Sequence, residues 1–145
     1  MSRIAIAVSR FNEEVTSRLL ASCLKTLKAE GWTDARLKVV HVPGGFELPW
    51  TAAELARSGR YQAVITLGCV LKGQTPQNDH IARSLVQSLH RISLETRVPV
   101  ILGVLTPNTW AQAVARTKGA LDRGKEAALA ALEMVAVQEE LRGKA

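Results

Sequence analysis

The sequence predicts an α/β domain in which a four-stranded parallel sheet is covered by helices on both faces. Four short apolar runs carry the first part of that expectation: Ile4 to Val8, Leu37 to Val42, Ala63 to Leu71 and Val98 to Leu105. All are rich in Val, Ile and Leu, as strands buried on both faces must be. Longer amphipathic stretches separate them, giving the order βαβαβαβαα, and right-handed crossovers then make the sheet parallel. The chain has 145 residues, 47% hydrophobic and 22% charged, which suits a single domain spanning 1–145. The architecture expected is a flavodoxin-like three-layer αβα sandwich with strand order 2-1-3-4.

The helices follow from their caps and stripes. The first is expected to open at Asn12 as N-cap, with Glu13 and Glu14 in its first turn, and to bury Val15, Leu19, Cys23 and Leu27. Gly31 ends it. A second runs from about Glu47 to Ser58, near Gly59. A third begins at Thr75-Pro76, with Thr as N-cap and Pro at the first helical position, and turns Ile81, Leu85, Leu89 and Ile92 inward. A fourth follows Asn108-Thr109. The last spans about Leu121 to Leu141 and carries Ala128, Leu132 and Val135.

Composition excludes several classes of function. No apolar run reaches the length of a membrane span. The Ile4 to Val8 stretch is too short for a signal peptide and has no cleavage site, so a cytoplasmic protein is expected. Cys23 and Cys69 lie in separate elements and read as buried free thiols. His41, His80 and His90 have no ligand spacing, so no metal is expected. The net charge of +6 raises the question of nucleic acid. The basic residues are scattered among acidic ones with no interleaved aromatics, so neither nucleic acid nor membrane is an expected partner.

In this architecture, ligands bind beyond the carboxyl ends of the strands. Four segments stand there: Ser9-Arg10-Phe11-Asn12, Pro43-Gly44-Gly45-Phe46-Glu47, Lys72-Gly73-Gln74-Thr75-Pro76-Gln77-Asn78-Asp79-His80, and Thr106-Pro107-Asn108-Thr109. The chain's two phenylalanines, Phe11 and Phe46, both fall here. Each could staple a helix start; together they point to stacking on a flat ring. Gly44-Gly45 makes a tight turn or brings the backbone close to a ligand. Glu47 compensates a helix dipole or accepts hydrogen bonds from a polyol. Gly73-Gln74-Thr75 runs into a helix N-terminus, a natural anion site, and Arg116 and Lys118 could supply cations. His80 follows Gln77 by three residues on the same side of the helix, where an imidazole is a candidate proton acceptor. His90, deeper in that helix, reads as structural.

Together these segments resemble the lumazine synthase family of riboflavin biosynthesis. The matching stretches are Ser9 to Asn12, Val42 to Pro49, Gly68 to Thr75 and Pro99 to Thr106, and the resemblance runs from Ile4 to about Ala131. It implies condensation of 5-amino-6-ribitylaminouracil with 3,4-dihydroxy-2-butanone 4-phosphate, with loss of phosphate and water and no cofactor. It also implies roles. Phe11 would stack on the pyrimidine; Gly45, Phe46 and Glu47 would hold the ribityl chain and ring. Cys69, Val70 and Leu71 would line the heterocycle, and Gln74, Thr75 and Arg116 would bind phosphate.

The chain departs from the family pattern at three places. Gln77 stands where the family has a proton-transferring histidine, and His80, one turn along, is the candidate to take over. Leu102 stands where a neighbouring subunit normally contributes a second aromatic. The segment after Arg116 is one residue short, which leaves Lys118 without an assigned role. The resemblance further implies a homo-oligomer with sites shared between subunits, a pentamer or a multiple of it up to a hollow capsid. The alternative is a lumazine- or flavin-binding relative that has lost the reaction.

Overall fold

β1 (Ile4–Ser9) is buried along its whole length and forms the centre of the sheet with β3 (Ala63–Cys69). β2 (Leu37–Val42) and β4 (Val100–Leu105) are the edges, and all pairings are parallel in the order β2-β1-β3-β4. This is the expected three-layer architecture and strand order. The computed structural model describes residues 1–72 and 75–143.

Alternation along the strands sorts the core into two halves. Ile4, Ile6 and Val8 of β1, with Ile65 and Leu67 of β3, face α1 (Glu13–Ala29) and α5 (Arg123–Leu141). Val15, Leu19, Cys23 and Leu27 meet them there, as the periodicity of α1 requires. Ala5 and Ala7 point the other way, toward α2 (Leu48–Arg57) and α3 (Pro76–Thr96), whose Leu48, Ala52, Leu85, Leu89 and Ile92 close the second half. The small side chains of β1 on this face let α2 approach closely. A short helix α4 (Trp110–Ala115) follows β4, capped by Thr109 and Gln112 acting reciprocally.

Two close approaches depend on glycine. A Cβ at Gly124 would lie 2.3 Å from the Leu19 carbonyl oxygen, so the first turn of α5 rests directly on the backbone of α1. A Cβ at Gly103 would stand 2.6 Å from the Thr66 carbonyl.

Several local expectations need correction. The strands are shorter than the apolar runs: β3 stops at Cys69 and β4 starts at Val100, although backbone hydrogen bonds continue past both, from Val70 N–H to Leu105 O and from Val64 N–H to Pro99 O. Asn12 occupies the N-cap position of α1, its carbonyl accepting from Val15 and Thr16 N–H, but its side chain makes no cap bond. Its backbone is left-handed, with φ 62°, and its side chain leaves the helix for another partner. His90 is exposed on α3, not the structural residue expected.

Candidate active site at the strand ends

The sheet continues as hydrogen bonds after its strands have stopped. Arg10 N–H donates to Val42 O at 2.8 Å, and Phe11 N–H to Pro43 O at 3.0 Å. These two bonds carry the segment after β1 alongside the segment after β2, which is why Phe11 and Phe46 share one face. On the other side of β1, the Asn12 side-chain amide donates to Cys69 O at 2.8 Å. The three loop segments are thereby held around one cavity of about 230 Å³, lined by Phe11, Gly45, Phe46, Cys69, Val70 and Leu71 among others.

Both phenylalanines are 68–70% exposed. Neither staples a helix into the core, so both rings are available to cover a ligand. The Gly44-Gly45 pair also resolves. Neither residue has a positive φ, so no left-handed turn demands them. A Cβ at Gly45 would lie 3.1 Å from Val70 Cγ2 and 3.2 Å from Leu85 Cδ1. Gly45 is there so that the backbone can seat against the cavity wall. Glu47 ends the short helical turn Gly45–Glu47 and is half-buried, with no ion-pair partner among the described residues. Its carboxylate is free to accept hydrogen bonds.

Burial pushes the Cys69 thiol up to about 11. A thiol so placed stays protonated at neutral pH and serves as an apolar wall, not a nucleophile. Cys23, deep under α1, is pushed up to about 12 by burial and then by Asp122.

The start of α3 is capped as expected. Thr75 Oγ1 accepts from Asn78 N–H at 3.2 Å, with Pro76 at the first helical position. Asn78 also reaches the cavity, donating from its side chain to Leu71 O at 2.9 Å. This contact was not foreseen; an Asn three residues after a Thr cap reads as an ordinary first-turn residue. Gln77 and His80 are exposed on the same helix and are not among the residues lining the cavity. The expected role of Gln74 lies outside the described residues.

Leu102 and Arg116 sit elsewhere. They line a second cavity of about 260 Å³ along the free edge of β4, together with Arg123, and this cavity shares no residue with the first. Leu102 is 52% exposed. Arg123, which the sequence reading did not single out, stands beside Arg116: its N–H donates to the Arg116 carbonyl at 2.9 Å. Its only sequence signal was a helix start. Among the described residues, no group of three or more His, Cys, Asp or Glu could hold a metal ion. No described helix is long and apolar enough to cross a membrane.

Comparison with known proteins identifies the family. Residues 1–139 match the family described as 6,7-dimethyl-8-ribityllumazine synthase. The 6,7-dimethyl-8-ribityllumazine synthase of Salinibacter ruber (strain DSM 13855 / M31) is 44% identical over 142 residues, covering 97% of this chain and 91% of the relative. The chain belongs to the 6,7-dimethyl-8-ribityllumazine synthase family.

Proposed function

We infer that this chain is an enzyme of riboflavin biosynthesis, a transferase that forms 6,7-dimethyl-8-ribityllumazine from 5-amino-6-ribitylaminouracil and 3,4-dihydroxy-2-butanone 4-phosphate. The observation that carries this reading is the exposed aromatic pair, Phe11 and Phe46, over a cavity floored by Cys69, Val70 and Leu71 at the strand ends. A flat pyrimidine covers the rings, and the free Glu47 carboxylate beside them accepts from ribityl hydroxyls.

In the reaction, the pyrimidine's amine attacks the ketone to give an imine with loss of water. Phosphate then leaves by elimination, and the ribityl-bearing nitrogen closes the ring on the remaining carbonyl with loss of a second water. Alignment of two bound reactants can lower a barrier by about 7–11 kcal/mol in the best cases, and a general acid–base typically adds roughly 10²–10⁴-fold. Gln77 cannot titrate, so alignment carries most of the rate. The substrate's own phosphate supplies a base near the reacting protons, and His80 assists from the next turn of α3. Thr75, at the α3 N-terminus, binds the phosphate group together with Gln74.

The separation of the two cavities supports a shared site. Leu102 and Arg116 lie along the β4 edge, whereas Phe11 and Phe46 stand beyond β1 and β2 toward the other edge. A second copy that sets its β4 edge against the phenylalanines brings Leu102 and Arg116 to the substrate. A pentamer, or a multiple of it, repeats that contact head to tail until it closes. The place of work is the cytoplasm. Mixing the protein with both substrates and following the fluorescence of the lumazine product tests the activity. Native mass measurement tests the ring, and a monomer at micromolar concentration would contradict it.

A further inference from the structure

Beyond β3 the backbone is clamped by side chains where a strand is missing. Val70 N–H donates to Leu105 O at 2.8 Å and Lys72 N–H to Pro107 O at 2.9 Å, both toward β4. Leu71 lies between them, so alternation turns its N–H and C=O the other way, toward β1. β1 has ended at Ser9. On that side the carbonyls of Cys69 and Leu71 accept from Asn12 Nδ2 and Asn78 Nδ2 instead, at 2.8 and 2.9 Å. The peptide units 69–70 and 71–72 are thus each held at both ends, one bond from a side-chain amide and one from the neighbouring chain segment. The 70–71 unit between them is different. Its Leu71 N–H donates to no acceptor among the described residues, and Leu71 lines the cavity together with Asn12 and Asn78.

We propose that Asn78 is a positioning residue: it completes a two-amide substitute for the missing strand and so aims the Leu71 N–H at a carbonyl of the bound ring. The proposal rests on the condensation reading above. Asn78 touches no reacting atom; it acts through the Leu71 peptide. Because the same residue takes its own N–H cap from Thr75, the clamp also fixes the strand end relative to the start of α3. The two reactants are read by these two elements, so a slack clamp degrades their mutual alignment more than the affinity for either.

Asn78→Asp provides the sharpest test. The variant is the same size, but its carboxylate opposes the Leu71 carbonyl, and only its protonated form has an O–H to donate. Turnover is expected to fall roughly tenfold to hundredfold at neutral pH, the scale of a displacement of about an ångström, with KM for both substrates within about twofold of wild type. The ratio of variant to wild-type turnover is expected to rise as the pH falls from about 7 to about 5, as the carboxyl regains its proton. Wild-type turnover in the variant, or a ratio that stays flat across that range, overturns the proposal. Asn78→Ala carries the same test should the Asp variant not fold: a loss of turnover at constant KM supports the clamp, and no loss overturns it.

An arm independent of activity separates the clamp from the enzymatic reading. In Asn78→Ala, hydrogen exchange at the Lys72 amide is expected to accelerate by at least about tenfold, because one end of its peptide unit is released. Unchanged exchange there overturns the proposal even if the wild type is a good enzyme. Faster exchange in Asn78→Ala, beside a wild type that forms no lumazine, leaves the clamp standing and removes the condensation reading.

Discussion

The Asn12 side-chain amide donates to the Cys69 carbonyl at 2.8 Å, joining residues 57 positions apart. This bond links the turn after β1 to the end of β3, and it explains why Asn12 accepts a left-handed backbone with φ 62°. Asn tolerates that conformation better than other L residues. Asn12→Ala is expected to destabilise the protein by about 1–3 kcal/mol, since it adds backbone strain and leaves a buried carbonyl unpaired. Asn12→Gly relieves the strain but still loses the bond. Denaturant melts are expected to show the Gly variant as the more stable of the two, with turnover reduced in both.

The exposed phenylalanines make a prediction of the opposite kind. Phe11 contributes little to this chain's own core, so Phe11→Ala is expected to leave the unfolding midpoint of the chain nearly unchanged. Loss of ring stacking is expected to raise KM for the ribityl pyrimidine by roughly tenfold, with a smaller effect on KM for the sugar phosphate. Steady-state kinetics with each substrate varied in turn measure both.

Gly124 tests the packing of the opposite face. With the Leu19 carbonyl 2.3 Å from any added Cβ, α5 must shift away from α1. Gly124→Ala is expected to cost about 1–3 kcal/mol in a denaturant melt, the usual range for overpacking, although Ala is the better helix former.

The legibility of the fold and site from sequence follows the range of the interactions. The strand order, the two-sided burial of β1 and β3 and the inward stripes of α1 and α3 are local periodicities, and they stand in the structure where the apolar pattern places them. The Thr75 cap was equally legible, being a contact over three residues. Asn12 holds the N-cap position that its type and place suggest, but its side chain's partner is fixed by β1 and β3 lying side by side. Asn78 went unnoticed for the same reason. Gly44-Gly45 was read as a tight turn or a close backbone approach to a ligand, but the contacts that decide Gly45, with Val70 and Leu85, come from other elements. The division of Leu102 and Arg116 from Phe11 and Phe46 carries no local signal at all.

The proton-transfer question is settled by two substitutions on one helix face. If His80 assists, His80→Ala is expected to lower turnover and flatten its dependence on pH. Gln77→His is expected to raise turnover, by up to roughly 10²-fold, and to introduce an ionisation near about 6.5 in the pH–rate profile. An unchanged rate and profile in His80→Ala would remove that residue from the mechanism and leave alignment alone.

The thiols predict the alkaline limit of stability. For both cysteines, burial raises the pKa in the folded state, so the unfolded chain ionises first as the pH rises. The stabilisation is fully present below the ordinary thiol value of 9.0 and is lost toward about 12 for Cys23 and about 11 for Cys69. The unfolding midpoint is expected to fall steadily above pH 9.0, and Cys23→Ala, itself less stable at neutral pH, is expected to show a shallower fall.

The central claim is that a cavity built by Phe11, Phe46 and the Cys69–Leu71 strand end aligns two reactants in a chain whose Gln77 cannot transfer a proton. Turnover of 5-amino-6-ribitylaminouracil with 3,4-dihydroxy-2-butanone 4-phosphate, followed by lumazine fluorescence, measures this directly. The expected result is product formation at a rate that exceeds the uncatalysed reaction and disappears in Phe11→Ala/Arg116→Ala. Tight binding of the lumazine with no acceleration over the uncatalysed rate would contradict it and leave a binding protein.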